Sequence, residues 1–549
     1  MTMATRASRF PSQAVVDLFL SCRNLPSTQV EHMHPFCVLH RVESGKSGVP
    51  PKQPSLHEVN IGQTEVVMDC ACPNFEISFR IEYHFEEEQN FSVRCFSGEG
   101  GLQEEYDYLG GFYFSMGQLV GATGNSLAIP LGLSPRSFVL IRAEPTKDSS
   151  EVLRFQLCAK KLKREGFFGG KKSNPFYVIQ GLGSDRTSWN TIWQSPVMQN
   201  NQNPIWDIDE IGIQKLSNGD YNRMVRIQVM NWRGDGKHDD MGGVVMSVNE
   251  LLRVPNTFEV LRATRNGENK PAGSLSVISA DILNRPTMVD YITGGCEINL
   301  MVAVDFTLSN GSPDDSKSLH YRGGKNPNEY QQAMSSIGGI VQNYATNKWF
   351  PIWGFGAKIN HVKQDCLSLG GGRPVQGAQG LLNAYKNAFT IPEFALSGPT
   401  NFMPVLRAAA ETAAANQRRG KQCYSILVIL TDGVITDVEQ TVDMICRISE
   451  TAPLSIVIIG VGKADFRKME MLDDDSGFLR DSQGQPAERD IVQFVPYRKY
   501  ATNVDKLTAE VLYEIPKQLV GYFQSRNVKP NAPIPMPTFH EKDIFVDKT

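Results

Sequence analysis

Two kinds of hydrophobic patterning divide this chain. Up to about residue 285, apolar positions come in short alternating runs broken by glycine, proline and asparagine, the two-residue period of half-buried strands. Ala14-Val-Val-Asp-Leu-Phe-Leu20, Phe75-Glu-Ile-Ser-Phe-Arg-Ile81, Val152-Leu-Arg-Phe-Gln-Leu-Cys158, Pro175-Phe-Tyr-Val-Ile179 and Met224-Val-Arg-Ile-Gln-Val-Met230 are predicted strands. Beyond residue 285 the apolar runs become continuous, at 298–306, 348–356, 424–430 and 454–460. They alternate with predicted helices at Asn328–Ala345, Phe402–Asn416 and Val438–Glu450, and a closing helix at Val504–Ser525. Uninterrupted apolar strands between helices indicate a parallel sheet covered on both faces.

The all-β half divides at Glu144-Pro-Thr-Lys-Asp-Ser-Ser150, a linker by composition, and its two parts echo each other. His34-Pro-Phe-Cys-Val-Leu39 is answered by Asn174-Pro-Phe-Tyr-Val-Ile179, and Asp107-Tyr-Leu-Gly110 by Asp239-Asp-Met-Gly242. Such self-similarity predicts two copies of one sandwich. The proline-rich segment Pro530–Pro537 is expected to be extended and solvated.

Composition narrows the function. The 549 residues carry a net charge of −4, with 41% hydrophobic and 21% charged residues, ordinary for a globular multidomain protein and not for a nucleic-acid binder. Ten scattered cysteines without a C-x-x-C pair argue against a zinc ribbon or a disulfide framework. With no apolar signal core at the start and no apolar run near the ~20 residues of a membrane span, a cytoplasmic protein is expected, with peripheral membrane contact only.

The candidate chemistry lies at three strand ends. Asp305-x-Thr307-x-Ser309 closes the run 298–306, Gly398-Pro-Thr400 offers another hydroxyl, and Thr431-Asp432-Gly433 follows the run 424–430. In a parallel sheet the carboxyl ends of strands open into one crevice. Two carboxylates and three hydroxyls meeting there are hard oxygen ligands suited to an octahedral Mg²⁺. Against a catalytic site, there is no nucleophile elbow, no histidine pair at metal spacing and no complete G-x-G-x-x-G loop. Lys358 alone offers a cation near the three motifs, too little for phosphoryl chemistry.

Long segments taken together resemble the copine family. In the last third these are Val304-Asp-Phe-Thr-Leu-Ser-Asn-Gly311, Ser318-Leu-His-Tyr321, Phe350-Pro-Ile-Trp-Gly-Phe-Gly-Ala-Lys358, Gly398-Pro-Thr-Asn-Phe402, Thr431-Asp-Gly-Val-Ile435, Val461-Gly-Lys-Ala-Asp-Phe466 and Arg489-Asp-Ile-Val-Gln-Phe-Val-Pro-Tyr497. The resemblance implies a multidomain protein: two all-β C2 sandwiches (1–143 and 151–283), a doubly wound α/β von Willebrand A domain (284–526) and a proline-rich tail (527–549). It also implies that Asp305, Thr307, Ser309, Thr400 and Asp432 form a metal-ion-dependent adhesion site, where an A domain engages an acidic group of a partner protein.

The sandwiches depart from that family. A calcium-binding C2 domain holds its ions between two loops through about five aspartates, and affinity falls as ligand charge is lost. In the second sandwich the implied aspartates are replaced by Asn174, Asn231 and Arg233, leaving Asp235 and Asp239 acidic, with Glu165 as a nearby substitute. In the first, His34 replaces one aspartate and Asp107 alone survives. Calcium is therefore expected to bind weakly or not at all in the second domain and not in the first. Lys160-Lys-Leu-Lys-Arg-Glu-Gly-Phe167-Phe168-Gly-Gly-Lys171-Lys172 lies at a loop tip where C2 domains meet lipid. Its basic residues contribute on the order of 1 kcal/mol each near an anionic surface. Phe167, Phe168, Lys171, Lys172 and Arg233 are the expected membrane contacts, with Arg233 standing where Ca²⁺ would. The resulting expectation is a non-enzymatic adaptor recruited to the plasma membrane or other anionic membranes. The alternatives are a membrane-free scaffold and, less favoured, a metal-dependent phosphoryl-transfer enzyme.

Overall fold

The computed structural model describes residues 14–25, 33–43, 48–98, 106–132, 136–146, 150–162, 173–182, 188–233, 238–263, 268–345, 347–417, 421–473 and 479–539. They fall into two compact units. One holds the described residues within 14–15 and 145–287, the other those within 16–144 and 288–539.

In the second unit, the first sandwich is two four-stranded sheets. One runs in the order Phe79–Tyr83, Ala14–Arg23, Phe138–Pro145, Ser126–Pro130, the other Glu58–Gln63, Pro35–Val42, Asn90–Ser97, Asp107–Ser115. The alternation along Ala14–Arg23 buries Val16, Leu18, Leu20 and Cys22 while Asp17 and Phe19 are partly exposed, as a two-residue period requires. The predicted strand over 75–81 begins only at Phe79, because the Glu65 carboxylate takes the backbone N–H groups of Glu76 (2.6 Å) and Ile77 (3.1 Å) that a ladder would use.

The sandwich in the other unit is one continuous eight-stranded ladder, closed across its middle by the Gly243–Leu261 pairing. Its core is built on Phe155, Tyr177 and Trp206, the last two rings meeting edge to face at 5.0 Å. The predicted repeat has a structural counterpart. His34 and Asn174 each precede a strand and each accepts a backbone N–H, from Asp69 (3.2 Å) and Asn200 (2.8 Å), both residues with positive φ. Gly110 and Gly242 sit at matching irregularities of the strand pairing, with φ of 121° and 110°. A Cβ on Gly110 would fall 2.3 Å from the Leu131 carbonyl oxygen.

The last domain is a six-stranded sheet in the order Leu367–Ser368, Ile352–Phe355, Glu297–Asp305, Cys423–Thr431, Leu454–Gly460, Val492–Pro496, parallel except at its first strand. Cys423–Thr431 and Leu454–Gly460 are buried at every position, which is why they read as unbroken apolar runs. Met301, Ala303, Leu427, Ile429, Ile456 and Ile458 pack against Val405, Leu406, Ala409, Ile445 and Ile448 of the helices Met403–Gln417 and Val438–Thr451. The helices Glu329–Val341 and Ile515–Ser525 also lie against the sheet.

Three elements differ from the sequence reading. The apolar run 348–356 is split at Pro351, which has no N–H for the ladder. The closing helix is two helices, Val504–Leu512 and Ile515–Ser525, since the Pro516 ring is tolerated only in a first turn. A further helix, Gly377–Ala388, buries Leu381, Ala384, Tyr385 and Ala388, a helical stripe diluted by glycine and polar residues. The described residues after Ser525, up to 539, form no helix or strand but are tethered: Tyr291 Oη donates to the Val528 carbonyl (2.9 Å), and the Ile534 N–H to that of Thr293 (2.9 Å). Within the same unit, the hydroxyls of Tyr83 and Tyr344 are hydrogen-bonded, and the Phe85 ring lies 4.8 Å from that of Tyr344.

Gly110→Ala is expected to lower the thermal midpoint of the chain, because it adds both left-handed strain and a backbone collision. The loss should be at least roughly 1–3 kcal/mol. An unchanged midpoint in a circular-dichroism melt would contradict this account of the irregularity.

Candidate metal centre

Asp305 is the last residue of the central strand Glu297–Asp305 and is fully buried. The parallel pairing of Val304 with Leu430 brings the end of Cys423–Thr431 beside it. One carboxylate oxygen of Asp305 accepts the Thr307 N–H (2.8 Å) and Oγ1–H (2.6 Å), and the other accepts Thr431 Oγ1–H (2.6 Å). Thr307 Oγ1 lies 3.0 Å from Ser309 Oγ, which in turn donates to Asp432 Oδ1 at 3.0 Å. Thr400 completes the group. The space a Cβ would occupy on Gly433 lies 3.3 Å from Thr400 Oγ1 and 3.7 Å from Asp305 Oδ2, so glycine there keeps the gap between them open. The Thr400 loop is tied down by its carbonyl, which accepts the Thr436 N–H at 2.9 Å.

All five residues singled out from sequence as metal ligands, Asp305, Thr307, Ser309, Thr400 and Asp432, are thus neighbours. Burial raises the pKa of Asp305. Burial, and then the charge of Asp305, push Asp432 up to about 6. Two carboxylates held together out of water each disfavour the other's ionisation, a cost that a divalent cation would offset. The oxygens are hard, and the group fits Mg²⁺ or Mn²⁺ by donor chemistry.

Sequence reading missed the support beneath. Asn310 Nδ2 donates to Asp432 Oδ1 (2.9 Å), and Asn310 Oδ1 accepts from Tyr330 Oη (2.6 Å). His320 is buried with Nε2 3.0 Å from the Asp305 carbonyl oxygen and Nδ1 2.8 Å from Tyr385 Oη. A carbonyl can only accept, so Nε2 carries the proton, and burial pushes the ring's pKa down to about 3, keeping it neutral. Asn310 and Thr431 adjoin motif residues and were within reach of the pattern; His320, Tyr330 and Tyr385 gave no such signal. Lys358 lies on a small antiparallel sheet, opposite Lys363 and Ala395.

At the loop end of the second sandwich, Asn174 N–H donates to Asn231 Oδ1 (2.8 Å), and Asn231 Nδ2 donates to Asp239 Oδ2 (3.1 Å). Arg233 closes on Asp239 with both oxygens engaged, Nε at 2.8 Å and Nη2 at 2.5 Å. The guanidinium therefore takes up both oxygens of the Asp239 carboxylate. In the first sandwich His34 is buried, and Asp107 is exposed, paired with Ser97 in the ladder. Asp235, Glu165, Phe167, Phe168, Lys171 and Lys172 lie outside the described residues.

Two C2-type sandwiches followed by a parallel α/β domain define the class. A family model described as Copine matches residues 318–531, and one described as C2 domain matches 18–131 and 153–261. The chain thus has the architecture of the copine family, two C2 domains followed by a Copine domain. Partial likenesses among solved structures include BON1-C2B, 23% identical over 24% of this chain and 92% of that one, with a TM-score of 0.22. Another is the calcium-bound pair of C2 domains of Extended-Synaptotagmin 2, 12% identical over 50% of this chain and 98% of that one, TM-score 0.23. The manganese-loaded TRAP protein of Plasmodium vivax is 12% identical over 39% of this chain and 74% of that one, TM-score 0.25. At these scores none of the three bears on function. Among the described residues no helix is long and apolar enough to cross a membrane.

Thr431→Val keeps the shape of the side chain and removes a buried donor from Asp305. It is expected to destabilise the chain by about 1–3 kcal/mol, read as a lower midpoint of denaturant unfolding. No change would mean that Asp305 does not depend on Thr431.

Proposed function

We propose that this chain is a non-enzymatic, peripheral adaptor: the C2 domains hold it at anionic phospholipid, and the A domain captures a protein partner through a bound Mg²⁺ or Mn²⁺. The observation that carries the reading is the convergence of Asp305, Thr307, Ser309, Thr400 and Asp432 from three separate loops. These oxygens would hold the ion, which when bound supplies a Lewis-acidic position for an acidic side chain of the partner. His320 supports the non-enzymatic reading. Both of its nitrogens are engaged below the cluster, one by a backbone carbonyl, so it does not face the cluster as a free base.

For the C2 domains, the Arg233–Asp239 pair favours membrane attachment without calcium. A guanidinium fixed at the loop end supplies the positive charge that calcium otherwise supplies, and by sequence Lys171, Lys172, Phe167 and Phe168 would add electrostatic and apolar attraction. Attachment of this kind weakens with salt.

Titration calorimetry on the full chain should find one Mn²⁺ site that Asp305→Ala abolishes. Equal Mn²⁺ uptake by both proteins would overturn the assignment of the centre. Co-sedimentation with phosphatidylserine vesicles should persist in chelator, fall steeply between low and high salt, and drop several-fold in Arg233→Glu. Binding that requires calcium would refute the calcium-free reading. Absence of binding in every condition would favour a membrane-free scaffold.

A further inference from the structure

The first C2 domain holds a cluster that neither the A-domain centre nor the loop ends use. Cys22 comes from the strand Ala14–Arg23 of one sheet. Cys37 and Cys95 face it from the other sheet, where they are direct register partners on Pro35–Val42 and Asn90–Ser97. Cys22 Sγ lies 3.8 Å from Cys37 Sγ and 3.9 Å from Cys95 Sγ, and all three sulfurs fall within 4.8 Å of one another. All three are 0% exposed, and none is in a disulfide.

From these three sulfurs we infer a buried binding site for one soft monovalent metal ion, Cu(I), held in trigonal coordination by Cys22, Cys37 and Cys95. A point equidistant from three such sulfurs lies about 2.2 to 2.5 Å from each, bracketing the ≈ 2.3 Å of a metal–thiolate bond. An ion therefore needs no movement of the strands. A disulfide, by contrast, needs the sulfurs at about 2.05 Å, so any of the pairs would have to close by well over an ångström. Soft sulfur ligands select Cu(I) or zinc. Among the described residues no fourth histidine, cysteine or carboxylate joins the group, and structural zinc takes four ligands. Three thiolates around one Cu(I) leave a net charge of −2, part of which the Arg23 guanidinium, donating to the Cys22 carbonyl at 2.7 Å, offsets. Loading releases thiol protons to solvent and moves no electron.

The cluster lies where strands enter the loop end that has lost its aspartates. Cys37 is three residues from His34, and Cys22 and Cys95 are close to their own strand ends. By sequence that loop end keeps only Asp107 of the aspartates a calcium-binding C2 domain uses, and a set of soft sulfur ligands lies below it.

The test uses the full chain, produced with copper available during folding because the closed site must load before the sandwich shuts. It is then challenged anaerobically with bathocuproine disulfonate as a competing Cu(I) chelator. Wild type should retain one Cu(I) per chain, with three sulfur neighbours near the metal–thiolate distance in X-ray absorption and a raised thermal midpoint. Cys37→Val/Cys95→Val, which keeps the core apolar, should retain none. Cys70→Ser/Cys72→Ser, at more exposed thiols, should behave as wild type. If the double valine variant fails to fold, Cys95→Ser serves in its place, with loss of at least tenfold in chelator resistance expected. Equal copper in wild type and the core variants would overturn the assignment, as would no retained copper, oxygen or nitrogen neighbours at the metal, or a disulfide among the three in the isolated chain.

Discussion

A carboxylate out of water at the end of the central strand is the constraint on which the A domain's architecture turns. Asp305 is fully buried, and its charge is tolerated because two hydroxyls and a backbone N–H are aimed at it. Those donors come from its own loop and from the neighbouring parallel strand, so the pairing of Val304 with Leu430 is part of the site as much as of the fold. Asn310, Tyr330, His320 and Tyr385 then form a second layer that fixes the loop from below. A buried polar network of this kind holds one arrangement only if every member finds its partner. What such an arrangement gathers at the carboxyl edge of the sheet is a cluster of oxygens that includes two carboxylates.

The C2 domains handle charge at their loop ends in another way. Where a calcium site gathers aspartates that repel until an ion arrives, the second domain joins Asn174, Asn231, Arg233 and Asp239 in a chain of hydrogen bonds. Arg233 makes a bidentate contact, the geometry that best satisfies a carboxylate. The repeat relation between the two domains extends to backbone detail, since His34 and Asn174 take the same kind of turn N–H and Gly110 and Gly242 the same positive φ. The side chains at the loop ends have diverged while these backbone requirements remained.

Much of the architecture could be read from patterning because burial leaves a period. Strands covered on both faces, such as Leu454–Gly460, appear as unbroken apolar runs, and strands covered on one face alternate. The reading failed where one residue changed the backbone's options. Pro351 and Pro516 divided elements that hydrophobicity alone joined, and Glu65 took the N–H groups of a segment with strand composition. The helix Gly377–Ala388 kept its stripe but carried too little apolar weight to stand out.

The sequence by itself determined the domain types, their order and the cluster of oxygen-bearing side chains at the strand ends, because each depends on residue type at short spacing along one strand or loop. Only the tertiary structure decided what lies within bonding distance across the fold. Thr431 on Asp305, His320 beneath it, Arg233 folded onto Asp239, and three cysteines from facing sheets meeting in one core are all products of packing. Their sequence separations, from 6 residues for Arg233 and Asp239 to 126 for Thr431 and Asp305, follow no period that a local pattern records. They are set by strand register and sheet closure, which bring distant positions to the same depth of the molecule.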